Sequence, residues 1–423
     1  AQVLGPRGGW VFAWGAMRDR PPPPAANAAA GSDGNGGAMA KDAEAAAGNF
    51  RLGGHWAFFE DWEGRPPSLV SAGRVGAALQ GSLSCARAVK PGTWSLGTIE
   101  GRSRSGGSDR PLGPVSVAVL AAPERPDRED MPKYDRAAIV DVGPDGEVSV
   151  SQEDGVVARL QLGSVAWLKT ERRPLAMDPG FRELSAEELA AGGGFGCRKA
   201  GALVFCEGTL PGTDYSQTED TVVCSLPQDC RPEGGRRCYL SLCCQESVIH
   251  LLRIFLDSSG HLSVRRSHTQ GRARDGHIYE VAKRQPGPLE LPLCCVRFST
   301  EPGTPLELLA GARAPRQHAA RKQLAYLGLE AERLPGEEGQ ESPRELDGFQ
   351  VAACIRHGAL VLLDGAICLT ARHRYTAFAR LPRDCWPERS VTLLVARGMP
   401  NGRFGFDRLD VTSSGELLCP QLP

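Results

Sequence analysis

Apolar residues fall in short runs of about four to eight positions along this chain. Val, Ile, Leu, Phe or Cys alternate there with polar residues, and Gly, Pro or Asp bounds each run. A period of two puts every second side chain on one face, so each run predicts an antiparallel strand with one buried side. The fold class that follows is all-β, in tandem antiparallel β-sandwich (jelly-roll-like) modules with low-complexity linkers. Helical spacing is confined to two places. In Gln317 to Leu334, Ala320, Leu324, Leu327 and Ala331 recur at helical intervals and predict one short linker helix. Ser185-Ala186-Glu187-Glu188 has capping-box spacing and predicts a turn or two of helix. Residues 21–49 start with a proline run and continue in Gly, Ala and Asn, which reads as a linker.

Comparing the chain with itself shows a repeat. Residues 197–208 read CRKAGALVFCEG and residues 354–365 read CIRHGALVLLDG. Downstream, Leu226-Pro227 through Asp229-Cys230-Arg231-Pro232 matches Leu381-Pro382 through Asp384-Cys385-Trp386-Pro387. An apolar run follows in each, and then Ser258-Ser259-Gly260 matches Ser413-Ser414-Gly415. Leu226 to Gly260 and Leu381 to Gly415 are both 34 residues apart. A fainter first copy runs through Gly73 to Gly81, Arg110-Pro111, Val115 to Leu120, the turn at Gly143 to Gly146, and Leu160 to Trp167. That last block matches Leu289 to Phe298 of the second copy. The third copy reaches Pro423 without it, so a neighbouring chain or a truncation would account for the missing strand. The organisation predicted is a low-complexity segment over 1–49, a divergent module over 50–170 and a second module over 190–300. A helical, Pro- and Glu-rich linker over 301–345 then leads to a C-terminally incomplete third module over 346–423. Each copy is a whole domain rather than a small solenoid unit.

Charge narrows the function. Lys plus Arg is 49 and Asp plus Glu is 50, a net charge of −1, which gives no global field to hold nucleic acid or an anionic membrane. The apolar run Val115 to Ala122 is too short to span a bilayer, and Trp10 to Trp14 is too short for a secretion signal, so no membrane span is expected and the compartment stays open. The 14 Cys show no Cys-x-x-Cys and no zinc-type spacing. They read first as small buried hydrophobes and second as disulfide partners, Cys230 with Cys238 for example.

No catalytic constellation emerges. Gly-x-Ser-x-Gly, a Walker loop and His-Glu-x-x-His are all absent. Asp141 and Asp145 around Gly143-Pro144 lack the alternating ligands of a calcium loop and read as a plain turn. His250 sits in an apolar run and reads as a core residue. No cofactor and no metal is expected. One charge cluster stands out after the Gly260 hairpin: Arg265, Arg266, His268, Arg272, Arg274 and His277, with a single Asp among them. Arginine forks suit phosphate, sulfate or carboxylate, so this loop is the candidate ligand-binding site, and the competing reading is a solvated loop.

The block order resembles the small β-sandwich modules of phage tail-fibre and receptor-binding proteins. In that family a Gly-bounded strand leads to a Leu-Pro-x-x-Tyr-Arg-Pro segment, then a Gly hairpin and a closing Leu-x-Gly-Ile-x-Phe strand. Leu226-Pro227 to Arg231-Pro232, Gly260-His261-Leu262 and Leu291 to Phe298 fit that scheme. Cys stands where the family has Tyr, Trp386 stands where it has Arg, and the first copy lacks the Leu-Pro. The resemblance implies a fold, assembly as a homotrimer and display of loops to a ligand; it brings no catalytic residue. What recurs between copies is Gly, Leu, Pro and Cys, which shape the chain, rather than a polar constellation. The function expected is therefore a non-enzymatic binding or structural protein presenting loops to a glycan or protein ligand. The alternative is a hydrolase with a Cys or Ser nucleophile in a cleft between modules.

Overall fold

Alternating burial along the strands fixes how the sheets face. On His261 to Arg266, for instance, Leu262 and Val264 are buried while His261 is exposed. The computed structural model describes residues 9–13, 50–52, 56–58, 67–89, 92–100, 108–122, 136–152, 157–178, 195–216, 219–245, 248–266, 270–272, 278–280, 288–309, 312, 349–369, 376–398 and 404–420. The helices expected over Gln317–Leu334 and Ser185–Glu188 lie outside the described residues. Within them the molecule is all-β, with antiparallel pairing between every two named strands. The helical elements described are two one-turn 3-10 helices, Gln228–Cys230 and Arg383–Cys385.

The first strand in chain order, β1 (Gly9–Ala13), stands apart from the first module. That module holds β2 (Phe50–Leu52), β3 (Trp56–Phe58), β4 (Ser68–Ser71), β5 (Gly76–Gln80), β6 (Ser82–Val89), β7 (Gly92–Ile99), β8 (Val115–Ala122), β9 (Arg136–Val142), β10 (Glu147–Gln152), β11 (Val157–Gln161) and β12 (Ala166–Leu168). Its large sheet runs β2-β7-β10-β9-β8-β11-β6-β3, and its small sheet runs β12-β5-β4.

The second module holds β13 (Arg172–Pro174), β14 (Ala176–Met177), β15 (Gly196–Ala200), β16 (Leu203–Glu207), β17 (Thr209–Thr213), β18 (Thr221–Ser225), β19 (Arg237–Gln245), β20 (Val248–Leu256), β21 (His261–Arg266), β22 (Gln270–Arg272), β23 (Ile278–Glu280), β24 (Leu289–Pro292) and β25 (Arg297–Ser299). Here β14-β18-β21-β20-β19 form one sheet, β17 pairs with β24, and β13-β15-β16-β25 form the small sheet. The third module holds β26 (Thr304–Pro305), β27 (Glu307–Leu308), β28 (Ala353–His357), β29 (Leu360–Asp364), β30 (Ile367–Leu369), β31 (Ala379–Arg380), β32 (Val391–Gly398), β33 (Phe404–Val411) and β34 (Glu416–Leu418).

Strand order is the same in all three. The large sheet reads β7-β10-β9-β8-β11-β6 in the first module and β31-β34-β33-β32-β1-β30 in the third. The second module repeats it, with β24 packed beside β19. The place of the strand that the third copy lacks is occupied from within the same chain. β1 fills the slot, pairing with β30 from Gly9↔Leu369 to Val11↔Ile367 and with β32 from Trp10↔Gly398 to Ala13↔Val395.

One clasp recurs with different side chains. Ile99, Leu226 and Leu381 each donate a backbone N–H to the carbonyl of a hairpin glycine, Gly146, Gly260 and Gly415, at 2.7, 2.9 and 2.8 Å. Those glycines have φ of +89°, +83° and +76°, a conformation other residues resist. Over each glycine lies the side chain of Arg110, Arg231 or Trp386. Each then donates to the carbonyl of the same Ile or Leu: Arg110 Nε to Ile99 at 3.2 Å, Arg231 Nε to Leu226 at 3.4 Å and Trp386 Nε1 to Leu381 at 2.9 Å. Trp386 does the arginine's work through its indole N–H. Trp386→Arg is therefore expected to keep the third module within about 1 kcal/mol of wild type. Trp386→Ala, which loses both the hydrogen bond and the ring, is expected to cost about 2 kcal/mol. Urea denaturation midpoints measure both.

Equivalent strands β8, β19 and β32 meet where the modules join. Their runs VSVAVLAA, CYLSLC and VTLLVA are largely apolar on both faces, because one face covers the module's own core and the other a neighbouring module. The seams are specific. Ser164 Oγ of the first module accepts the N–H of Leu394 of the third at 3.1 Å. The carbonyl of Ser164 accepts Arg297 Nη1 of the second at 3.0 Å. Arg237 Nε of the second meets Asp364 Oδ2 of the third at 2.8 Å.

Candidate functional site

The arginine cluster starts at the end of β21, where Arg265 and Arg266 alternate across the sheet. Arg265 Nε donates to Asp220 Oδ1 at 2.7 Å, and Arg236 Nη2 donates to Asp220 Oδ2 at 2.8 Å. One carboxylate thus holds two guanidinium groups side by side. Arg253 stands opposite Arg265 in the β20–β21 register. Phe255 lies beneath, with the Arg236 guanidinium carbon 3.8 Å and that of Arg253 5.9 Å from its ring centre, which is cation–π geometry. Arg236, Arg253 and Arg265 therefore share one face with a single Asp. Arg266 is partly buried, and burial lowers its guanidinium pKa against the pull of Asp214. Arg272 lies on β22, which forms a hairpin ladder with β23. His268, Arg274 and His277 lie outside the described residues. Sequence reading found Arg265 but missed Arg236 and Arg253. Their signal is strand register, which local composition does not carry.

A cavity of about 230 Å³ opens at the seam between the first two modules. Asp141 lies on its wall, accepting Ser116 Oγ at 2.5 Å on one oxygen and Ser151 Oγ at 3.2 Å on the other. Ser241 Oγ, from the other side, donates to the Pro292 carbonyl at 2.8 Å. Cys294 and Cys295 complete that side. Burial pushes the Cys294 thiol up to about 12 and Cys295 well above its usual value, so both are held as thiols, poorly suited to nucleophilic attack. Arg297 is buried behind them, donating to the Cys294 carbonyl at 3.0 Å and stacking 4.8 Å from the Phe205 ring centre. The cavity offers hydroxyls and carboxylates to a polar ligand.

The remaining sequence candidates resolve into structure. Asp145 accepts the Glu147 N–H at 3.1 Å and shapes its own turn. Among the described residues no group of three or more His, Cys, Asp or Glu is placed to hold a metal ion. His250 is buried on β20, and burial first, then Arg266, lowers its pKa to about 4. No helix among the described residues is long and apolar enough to cross a membrane. Comparison of the chain with protein-family models, with curated proteins and with solved structures finds no match.

Proposed function

We propose that this chain is a non-enzymatic binding or structural protein that presents the hairpins of three sandwich modules to an acidic glycan or protein ligand. The observation that carries the reading is the clasp built three times over Gly146, Gly260 and Gly415. The residues shared between modules hold the backbone in place. The second module carries Arg236, Arg253 and Arg265 on one face. Planar guanidinium groups kept apart by one carboxylate suit a carboxylate or sulfate ligand. In this reading the threefold contact that tail-fibre-like modules reach by assembling three chains is reached within one polypeptide.

The test is an array of neutral, sialylated and sulfated glycans, together with acidic peptides, probed with the full chain. Retention of an acidic class is expected. It should fall several-fold in Arg253→Ala/Arg265→Ala, and fall again as ionic strength rises through the Debye-screening range. Failure to retain any acidic ligand would contradict the proposal. So would stoichiometric labelling of one Ser or Cys by an activity-based probe accompanied by turnover.

A further inference from the structure

The second and third modules share a thiol arrangement that the first replaces. Cys197 on β15 and Cys354 on β28 occupy the same position, opposite Cys206 and Leu363 in the equivalent hairpins. Cys230 and Cys385 end the two 3-10 turns, each with its N–H bonded at 2.9 Å to the carbonyl of Pro227 or Pro382. Each turn is tied to the strand bearing the other Cys. Lys199 Nζ donates to the Asp229 carbonyl, and Arg356 Nη1 to the Asp384 carbonyl at 2.8 Å. Lys199 and Arg356 stand two residues beyond Cys197 and Cys354. The two backbones are therefore fixed against each other, and the sulfurs meet. Cys354 Sγ lies 3.2 Å from Cys385 Sγ, and Cys197 hydrogen-bonds Cys230.

In the first module the place of Cys230 is taken by Asp109, the residue before Arg110 of the clasp. Its carboxylate accepts Lys169 Nζ at 2.5 Å and Ser71 Oγ at 2.5 Å in a fully buried site. All three modules thus clamp this turn to the small sheet, one with an ion pair and two with facing thiols. Cys230 faces Cys197 rather than Cys238, the partner suggested by sequence proximity.

We infer that Cys197–Cys230 and Cys354–Cys385 are two equivalent disulfide-forming sites, closed by exchange with a small-molecule disulfide of the oxidised-glutathione class. Bringing the Cys354 and Cys385 sulfurs from 3.2 Å to the ~2.05 Å of a disulfide takes a movement of about 1 Å, within side-chain reach. In the second module, the Cys230 sulfur attacks one sulfur of the oxidant as thiolate, and the oxidant's other sulfur leaves and takes up a proton. Cys197 then loses its proton to water and attacks the Cys230 sulfur of the mixed disulfide, expelling the second small thiol. Two protein thiols lose two hydrogens and the oxidant gains two.

The second and third modules differ in the group beside the turn sulfur. Arg173 Nη1 lies 3.7 Å from the Cys230 sulfur, and the Arg173 side chain is 43% exposed, so the turn faces solvent. The Cys197 thiol, and after it the Arg173 and Lys199 charges, lower the Cys230 thiol pKa against the opposing effect of burial. In the third module Thr304 stands where Arg173 stands in the second, by strand register. The Cys197–Cys230 bridge should close first. Elsewhere burial pushes the Cys224 and Cys238 thiols up to about 12.

The test takes the full chain, fully reduced, through a time course with oxidised glutathione. Samples are quenched by alkylation and mapped as unreduced peptides by mass spectrometry. The expected end state is the loss of four hydrogens, with peptides joined 197-to-230 and 354-to-385, the first forming several-fold faster. Arg173→Thr, an exposed substitution that keeps every thiol, is expected to slow the first bridge to the rate of the second. Cys385→Ser is expected to remove only the second. The inference is overturned if these cysteines all remain alkylatable after prolonged oxidation, if Cys230 joins Cys238 instead, or if Arg173→Thr leaves the order of closure unchanged.

Discussion

Substituting Val11→Pro is expected to destabilise the third module by about 3 kcal/mol or more, while the first two keep their stability. Val11 is paired on both sides, with Ile367 of β30 and Arg397 of β32. A proline there removes a backbone donor from an interior strand, where no solvent face can absorb the loss. Deleting residues 1–13 goes further and leaves the facing rows of β30 and β32 without their partner strand. Unpaired inner edges of this kind also invite association between chains. Limited proteolysis should then cut between 349 and 420 while fragments spanning 67–300 persist. A synthetic peptide carrying Gly9 to Ala13, added to the truncated chain, is expected to restore resistance by occupying the same slot. Unchanged denaturation and proteolysis in Val11→Pro would mean that β1 does not complete this sheet.

Asp364→Ala is expected to cost about 3 to 5 kcal/mol, because it strands a buried charge. The Arg237 and Asp364 side chains are 2% and 5% exposed, and their 2.8 Å contact joins the second module to the third. Burial acts to lower the Arg237 pKa, but Asp364 outweighs it, and the guanidinium stays above its ordinary value. Its remaining N–H groups donate to the carbonyls of Gly235 and Glu233 at 3.0 and 3.1 Å, so the group is anchored and cannot turn to water. With the carboxylate gone, the positive charge remains in an apolar seam between modules. The double variant Arg237→Met/Asp364→Leu removes both charges and is expected to recover most of the loss. Chemical denaturation checks both, and a double variant as unstable as Asp364→Ala would show that the contact acts through shape rather than charge.

Much of the architecture is written in the sequence because its signals are local. Period-two alternation marks the strands, and Gly260 and Gly415 mark the hairpins. Arg110 could be matched to Arg231 because a Pro follows each. β1 was not legible. GWVFA is five residues without alternation, set before a low-complexity stretch, and its partners lie over 350 residues away. Its one signal was the strand that the third copy lacked. The apolar runs of β8, β19 and β32 likewise look like ordinary strands, and only the joining of modules explains why both faces are buried. The arginine face was half legible. Arg265 sits in a visible cluster, whereas Arg236 and Arg253 join it through hairpin register. The thiol pairs were hidden by separation along the chain, yet Cys197 with Cys354 and Cys230 with Cys385 had already recurred at matching places. Recurrence of reactive letters in two copies was the clue to their meeting.

Hydrogen–deuterium exchange of the intact chain compares three equivalent strands at once: β11, β24 and β1. Three copies of one sandwich, the last completed from the far end of the chain, require backbone amides of Trp10 to Ala13 to exchange as slowly as those of Arg159 to Gln161 and Leu289 to Leu291. Exchange of Trp10 to Ala13 at the rate of an unstructured peptide, with the other two strands protected, would contradict that architecture.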